Sequence, residues 1–366
     1  MMDATRLLLI GDLHIRAGEQ LDDVRSCLEW AAQLAEPAAV HGVLIAGDAY
    51  EGRSTPVERG VLADFLGGVA GPSRSALVIR GNHDQMEDLA VFDGYQGVEV
   101  FERPGWAAVG PVDILCVPWP ERAFLAGHGL AGESGEAAGS AALAAMLRGL
   151  MAAQPRPGHP VVVLAHLQVL GAIASSAQPL IGKAIEVTLG DLKDLGASFV
   201  ALGHVHKPQQ LADGIEYIGS LTVHDFGEEG EDKRVGILTV EADGESSVEW
   251  LRVPCRRWMT IDATVSDGRV VETAAADIAG ANVRYRYSCS DADEHLFDDA
   301  EIRRRFAAAQ ALKIVPQVER AARVRAAEVA AAKTPTEKLL VWGAATGTEI
   351  TPSLLSKLEE MEVQHD

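Results

Sequence analysis

The chain has 366 residues, 48% of them hydrophobic and 23% charged, enough for one large or two modest domains with substantial cores, which excludes a disordered or fibrous protein. Its net charge of −21 argues against nucleic acid as a partner, because duplex binding draws its affinity from neutralising phosphates. The distribution softens that: residues 1–250 hold 16 basic against 35 acidic side chains, residues 251–366 hold 16 against 18, so contact with a polyanion should lean on the last third or on bound cations.

No uninterrupted run of about 18 apolar residues occurs; the nearest, Val161 to Ala177, is broken by His166 and Gln168, so no membrane span is expected. Met1 to Arg6 leads into a short apolar run without a basic region or cleavage site, which predicts no signal peptide and a cytoplasmic protein. Cys27, Cys116, Cys255 and Cys289 form no C-x-x-C pair and read as reduced core residues.

The first 205 residues repeat a short aliphatic run, a glycine turn carrying polar residues and a helix-like segment. Arg6 to Ile10 precedes Gly11-Asp12-Leu13-His14, Val43 to Ala46 precedes Gly47-Asp48, and Ala76 to Arg80 precedes Gly81-Asn82-His83-Asp84. Later, Val161 to Ala165 precedes His166, and Phe199 to Leu202 precedes Gly203-His204-Val205-His206. Each polar cluster therefore falls at the carboxyl end of a strand, where the loops of an α/β sheet converge on ligands. Asp22 to Leu34 has helical apolar spacing at Val24, Leu28, Ala31 and Ala32. Thr55-Pro56-Val57-Glu58 provides an N-cap, a proline at the first helical position and a glutamate three residues after the cap, so a helix should run to about Gly67. The Glu133 to Gly158 stretch is an Ala-, Gly- and Ser-rich connector around a helix at Ala141 to Met151. Ile215 to Ile218 and Val235 to Val240 read as strands at a sheet edge or in a second layer.

Composition shifts near Arg252. Val283, Tyr285 and Tyr287 alternate with Arg284, Arg286 and Ser288, a half-buried strand in a small β-containing domain. From Asp298 the pattern is helical: Glu301 to Ala332 is dense in Ala and Arg with Pro316 interrupting, Thr334-Pro335-Thr336-Glu337 caps a helix with Leu339, Leu340 and Trp342, and another starts at Thr351-Pro352 with Leu354, Leu355 and Leu358. A Gly343 to Thr348 stretch, read as flexible, separates them.

A lone Gly-Asp turn is usually only a turn, and a lone histidine on an apolar strand is usually a core residue; His41, His128, His159, His295 and His365 receive that reading. Asp12, His14, Asp48, Asn82, His83, His166, His204 and His206 recur together at strand ends. One of only two asparagines in the chain falls inside Gly-Asn-His-Asp. These oxygen and nitrogen donors, with no thiolate, suit octahedral Mn²⁺, Fe²⁺ or a mixed pair better than structural zinc. In an extended segment Asp-x-His places both side chains on one face, so Asp12 and His14 could share an ion, as could His204 and His206. Asp48 could bridge two ions about 3.5–4 Å apart, the arrangement of a two-metal phosphoryl hydrolase.

In these five motifs the chain resembles the calcineurin-like metallophosphoesterase superfamily. Gly11-Asp12-Leu13-His14-Ile15-Arg16, Tyr217-Ile218-Gly219-Ser220 and Asp225-Phe226-Gly227-Glu228 resemble, more narrowly, the SbcD-type DNA-repair nucleases, which include the nuclease of the MRN complex. The resemblance implies an α/β/β/α two-sheet sandwich over residues 1–252, a small α+β capping domain over 253–297 and a helical ATPase-binding tail over 298–366. It implies one divalent ion on Asp12, His14, Asp48 and His206 and another on Asp48, Asn82, His166 and His204, Mn²⁺ first, with Mg²⁺, Fe²⁺ or Zn²⁺ as alternatives. His83, with Asp84 behind it, would be the catalytic proton donor or phosphate-stabilising group. The chain departs from the archaeal and eukaryotic pattern at Glu51, where those enzymes often carry a histidine. DNA, an SbcC-like ABC ATPase and a second copy of the chain are the implied partners, and the nucleoid the implied location. Rival readings are an enzyme of the same superfamily acting on small phosphodiesters, nucleotides or a phosphoprotein, and a DNA-end recruiting subunit with little activity.

Overall fold

The computed structural model describes residues 4–18, 20–121, 136–176, 178, 185–273, 277–319 and 329–363, without the side chains of 136, 137 and 359–363. The helical reading of residues 320–328 and the start of the connector at 133–135 lie outside the described residues. The chain divides into two compact units, one of residues 1–259 with 280–282, the other of residues 260–279 and 283–366.

In the first unit, β1 (Thr5–Ile10), β2 (Gly42–Ile45), β3 (Ser75–Ile79) and β4 (Val98–Phe101) are followed by β5 (Gly105–Val109), β6 (Val112–Val117) and β7 (Val161–His166). After the short pair β8 (Gln168–Val169) and β9 (Glu186–Val187) come β10 (Phe199–Gly203), β11 (Gln209–Ala212), β12 (Ile215–Tyr217), β13 (Arg234–Val240) and β14 (Ser246–Arg252). They build two six-stranded sheets, in the orders β14-β13-β1-β2-β3-β4 and β11-β12-β10-β7-β6-β5. The strands β1 to β4 run parallel, as do β6, β7, β10 and β12.

Side-chain alternation explains the layering. Leu8 and Ile10 of β1 join a core with Val24, Leu28 and Phe65 of the Leu21–Ala35 and Pro56–Val69 helices, whereas Leu7 and Leu9 join a core with Ile114, Val162 and Ala201 of the second sheet. The outer face of the second sheet is covered by Leu143 and Leu147 of the Glu136–Ala152 helix. The result is the expected α/β/β/α sandwich. The Pro56–Val69 helix has the complete capping box, with the Thr55 backbone N–H donating to Glu58 Oε2 at 2.6 Å; such a cap is worth about 1 kcal/mol. β12 and β13 are interior strands of the two sheets, not edges, because β11 and β14 pair outside them.

The second unit carries a four-stranded sheet in the order β16-β15-β17-β18, of β15 (Trp258–Ser266), β16 (Arg269–Glu272), β17 (Asn282–Ser290) and β18 (Ala311–Glu319). β17 shows the expected alternation, with Val283, Tyr285 and Tyr287 buried. β18 corrects the helical reading of 311–319. Leu312, Ile314, Val315 and Val318 favour a strand, and Pro316, unable to donate to a ladder, is tolerated because β18 is an edge. The Pro335–Thr346 and Pro352–Val363 helices form as expected. Their connection is a tight turn and not a flexible stretch: Gly347 caps the first helix at φ 66°, and a Cβ on Gly343 would strike Ile350.

Candidate metal centre

The carboxyl ends of β1, β2, β3, β7 and β10 deliver Asp12, Asp48, Asn82, His166 and His204 to one edge of the sandwich. Close backbone approach makes this possible: a Cβ on Gly81 would overlap the Asp48 carboxylate and main chain, and one on Gly11 would overlap the Gly219 carbonyl. His14, Asp48 and His204 take positive φ of 45°, 46° and 97°, a conformation costly for residues with a side chain and concentrated at functional sites. The segments are therefore not extended at His14 and His204, and the period-two argument for pairing Asp12 with His14 and His204 with His206 does not hold.

Two groups of ligand atoms form instead across the chain. In the first, His14 Nδ1 lies 2.7 Å from Glu51 Oε2 and His206 Nδ1 lies 2.7 Å from Glu228 Oε1. With both Nδ1–H groups donating to carboxylates, the Nε2 atoms face one another at 3.0 Å, and Asp48 Oδ2 is 3.6 Å from His14 Nε2. In the second, Asn82 Oδ1 lies 2.9 Å from His166 Nε2 and 2.8 Å from His204 Nδ1, with Asp48 Oδ2 again close, 3.3 Å from His166 Nε2. His166 turns Nδ1 to the Ala46 carbonyl at 2.7 Å and His204 turns Nε2 to Gln168 Oε1 at 2.9 Å. Asp12 lies beside the second group: its carboxylate accepts the His204 backbone N–H at 2.9 Å and stands 3.4 Å from His166 Nδ1. Asp48 Oδ2 is thus close to an inward nitrogen of each group.

Both groups need positive charge where their atoms converge. Burial opposes a charge on His14, but the Glu51 hydrogen bond and the Asp48 and Asp12 carboxylates outweigh it and raise its pKa to about 9. Burial likewise opposes a charge on His166, and Asp48 and then Asp12 raise it to about 9. Burial, then the neighbouring His166, presses His204 down to about 3, so at neutral pH it has one N–H for two acceptors. Asp48 is held below the usual carboxylate range against its burial, first by His166 and then by His14. Divalent cations fit these points because they satisfy every inward lone pair at once, while the outward nitrogens keep their hydrogen bonds. In the metal-free protein, protons on His14 and His166 occupy part of the same space. Metal uptake at pH 7 is therefore expected to release protons, and affinity to rise with pH until about 9. Titration calorimetry in buffers of different ionisation enthalpy would contradict this if the heats were identical.

Around these groups lies a cleft of about 300 Å³ lined by His83, Gln178, His224 and Asp225 as well as the inward ligands. His83 donates its backbone N–H to Asp48 Oδ1 at 2.8 Å, and its ring, with the side chain 38% exposed, turns Nδ1 toward the Glu51 carbonyl at 3.3 Å. Asp84 does not stand behind that ring. Its buried carboxylate accepts the backbone N–H groups of Gly81, Tyr50 and Ala49 at 2.8, 2.9 and 3.2 Å, tying the loops after β2 and β3 together. Burial and then the Asp48 charge raise its pKa to about 6. No motif singles out His224, yet its ring packs 4.8 Å from His14 and 5.0 Å from His206. Glu228 belongs to a quoted motif; Lys233 Nζ holds it at 2.9 Å, and the pair orients His206.

The calcineurin-like phosphoesterase family matches residues 5–208, the span that holds every site residue predicted from the sequence. The chain belongs to the calcineurin-like phosphoesterase family. As a member, this phosphoesterase is a metal-dependent hydrolase of phosphoesters. It is 29% identical over 272 residues to the SbcD subunit of the nuclease SbcCD from Rhodobacter capsulatus and 26% identical over 266 residues to that of Escherichia coli K12, each match covering 64% of this chain and 66% and 64% of those proteins. The chain thus spans just under two thirds of the length of the curated relatives it matches. A dimetal phosphatase from Danio rerio superposes with a TM-score of 0.40 at 11% identity, over 67% of this chain and 99% of its own. Among the described residues no helix of this phosphoesterase is long and apolar enough to cross a membrane.

Proposed function

We propose that the protein is a two-metal-dependent DNA nuclease, the SbcD-like subunit of an end-processing complex. The observation that carries this reading is Asp48 Oδ2, poised between two groups of inward nitrogen and oxygen atoms. Asp12, His14, Asp48 and His206 would hold one cation, Asp12 from its place beside His166 with a carboxylate whose charge also acts on His14, and Asp48, Asn82, His166 and His204 the other, Mn²⁺ being the best match to the donor set. Two such cations, when bound, supply Lewis acidity and the positive charge that a phosphodiester demands of an acidic cleft.

The chain's own residues complete the chemistry. Glu51 and Glu228 orient His14 and His206 through their Nδ1 atoms and fix which nitrogen points inward. Asp84 holds the Gly81 and Ala49 loops in register. His83, exposed at the mouth, can donate a proton to the leaving oxygen or stabilise charge gained by the phosphate. Gln178 spans the floor, accepting the His206 backbone N–H at 3.0 Å and donating to the His204 carbonyl.

The partners belong to the same proposal: DNA, a second copy of the chain and an SbcC-like ABC ATPase, with the nucleoid as the working location. The Pro335–Thr346 and Pro352–Val363 helices support the ATPase contact, because Leu340, Trp342 and Leu354 are each about half exposed, and such apolar helix faces dock into grooves. Ending the chain near Asp298 would strip β18 from its sheet, so substitution is the cleaner test. The full chain with Mn²⁺ is expected to cleave single- and double-stranded DNA ends far better than p-nitrophenyl phosphodiesters, and Leu340→Glu with Trp342→Glu to keep that cleavage while losing co-purification with the ATPase. Preference for the small ester would overturn the DNA assignment; retained co-purification would overturn the role of the helices.

A further inference from the structure

A second cleft, of about 190 Å³, shares a wall with the metal centre. The shared element is Trp119, whose ring packs on His204 with centroids 4.8 Å apart and planes 37° from parallel, and edge-on to His166 at 5.9 Å. Besides Trp119, the cleft has apolar walls of Met86, Pro104, Pro118, Pro120 and Met146. Glu102, Arg103 and Glu121 form a charged margin. Met86 is 46% exposed, although apolar side chains are generally covered where a neighbour is available.

The buried polar group in this cleft is Arg80, the residue directly before Gly81-Asn82. Its side chain is 5% exposed. Nη1 donates to the Gly81 carbonyl at 3.3 Å, and Nη2 to the Trp119 carbonyl at 3.2 Å and to Glu121 Oε1 at 3.1 Å. The Trp119 backbone N–H returns a bond to the Arg80 carbonyl at 2.9 Å, so the two residues are locked together. Nε is buried and has no hydrogen-bond partner among the described residues. Arg80 is thus the brace of this cleft, holding the Trp119 main chain in place, while the accessible stacking surface belongs to Trp119 and its neighbours.

We propose that this cleft receives the base of the nucleotide adjoining the scissile phosphate, the base stacking on Trp119, whose main chain Arg80 holds in place. The inference rests on the DNA substrate proposed above. Its chemistry is that of single-strand recognition, in which aromatic stacking contributes about 1–3 kcal/mol per base and tolerates any sequence because every base has a π-face. A base drawn into this cleft leaves the stack of its neighbours, so frayed or single-stranded ends fit it better than a closed duplex.

The test uses the full chain with Mn²⁺ and a fluorescent short thymidylate strand in which one residue at a time is made abasic. The strand carries cleavage-resistant phosphorothioate linkages for the binding measurement and natural linkages for the cleavage map. For the wild type, one abasic position is expected to weaken binding by about 10-fold, within the range that stacking supplies, and Mn²⁺-dependent cleavage should map beside that position. Trp119→Ala should weaken binding of the base-bearing strand by a similar factor and add no penalty on the strand already abasic there. Trp119→Phe, which keeps a flat ring, should retain most of the affinity, and Met86→Ala should lie between. Equal binding of intact and abasic strands at every position, equal losses on both strands in Trp119→Ala, or no strand binding at all would overturn the proposal. Strands that bind with this base dependence but, with natural linkages, resist cleavage in Mn²⁺ would overturn the nuclease assignment and leave the cleft standing.

Discussion

Asp48→Asn is expected to abolish phosphodiester hydrolysis and to remove tight binding of both metal equivalents, while leaving the metal-free fold intact. The asparagine keeps the shape of the side chain and an oxygen that can accept the His83 backbone N–H, now 2.8 Å from Asp48 Oδ1. At the other position it places an amide N–H₂ where Asp48 Oδ2 stands 3.6 Å from His14 Nε2 and 3.3 Å from His166 Nε2. Without the Asp48 charge, which helps hold protons on His14 and His166, those rings become neutral more readily, and the amide can then donate to a freed nitrogen in the apo protein. A cation at either point instead meets a positive dipole end and loses a shared negative ligand. Thermal unfolding separates the two effects: the wild type should be stabilised by Mn²⁺ in proportion to the logarithm of its concentration above the dissociation constant, and the variant should show almost no shift. Activity near the wild-type level in Mn²⁺ would remove Asp48 from the shared position.

His83→Ala should behave in the opposite way, keeping both metal equivalents and losing on the order of a hundredfold or more in turnover. The His83 ring is hydrogen-bonded away from the inward nitrogen atoms: Nδ1 faces the Glu51 carbonyl at 3.3 Å, and the ring meets His14 edge-on, with centroids 5.0 Å apart, although one ring nitrogen lies within 4.8 Å of ligand atoms of His14 and Glu51. Its contribution to the ligand geometry runs through the backbone N–H, which alanine retains. Metal content by elemental analysis and turnover on a DNA end should therefore separate cleanly. Loss of one metal equivalent would make His83 a ligand.

Local chemistry is the legible part of this protein. The Thr55 and Thr334 capping boxes form as their spacing predicts, because a cap and its glutamate lie within one turn. Asp12, Asp48, Asn82, His166 and His204 can be placed together because each ends a parallel strand, and parallel strands end on the same edge. What spacing alone cannot supply is the pairing between distant loops. Glu51 and Glu228 matter through His14 and His206, 37 and 22 residues away, and no periodicity encodes those partners. Asp84 sits in the same tetrapeptide as His83 but faces the backbone of Ala49 and Tyr50, a direction set by the turn after β3. β18 escapes a reading from pattern because the alanine- and arginine-rich composition on either side suggests helix, whereas its strand is stabilised by β17, more than twenty residues earlier in the chain.

The turn between the last two helices has a consequence for the ATPase contact proposed for them. The Thr348 backbone N–H closes onto the Gly343 carbonyl at 3.0 Å, Gly347 adopts φ 66°, and Ile350 fills the space that a side chain on Gly343 would need. Leu340, Trp342 and Leu354 are thus displayed by a hairpin that is ordered before any encounter. Fixing a flexible backbone costs about 1–2 kcal/mol per residue, and a linker of freely moving residues between the helices would add that loss to every binding event. Here folding of the chain has already absorbed it, so in the proposed contact the ATPase would meet a preformed two-helix surface and more of the contact energy would appear as affinity.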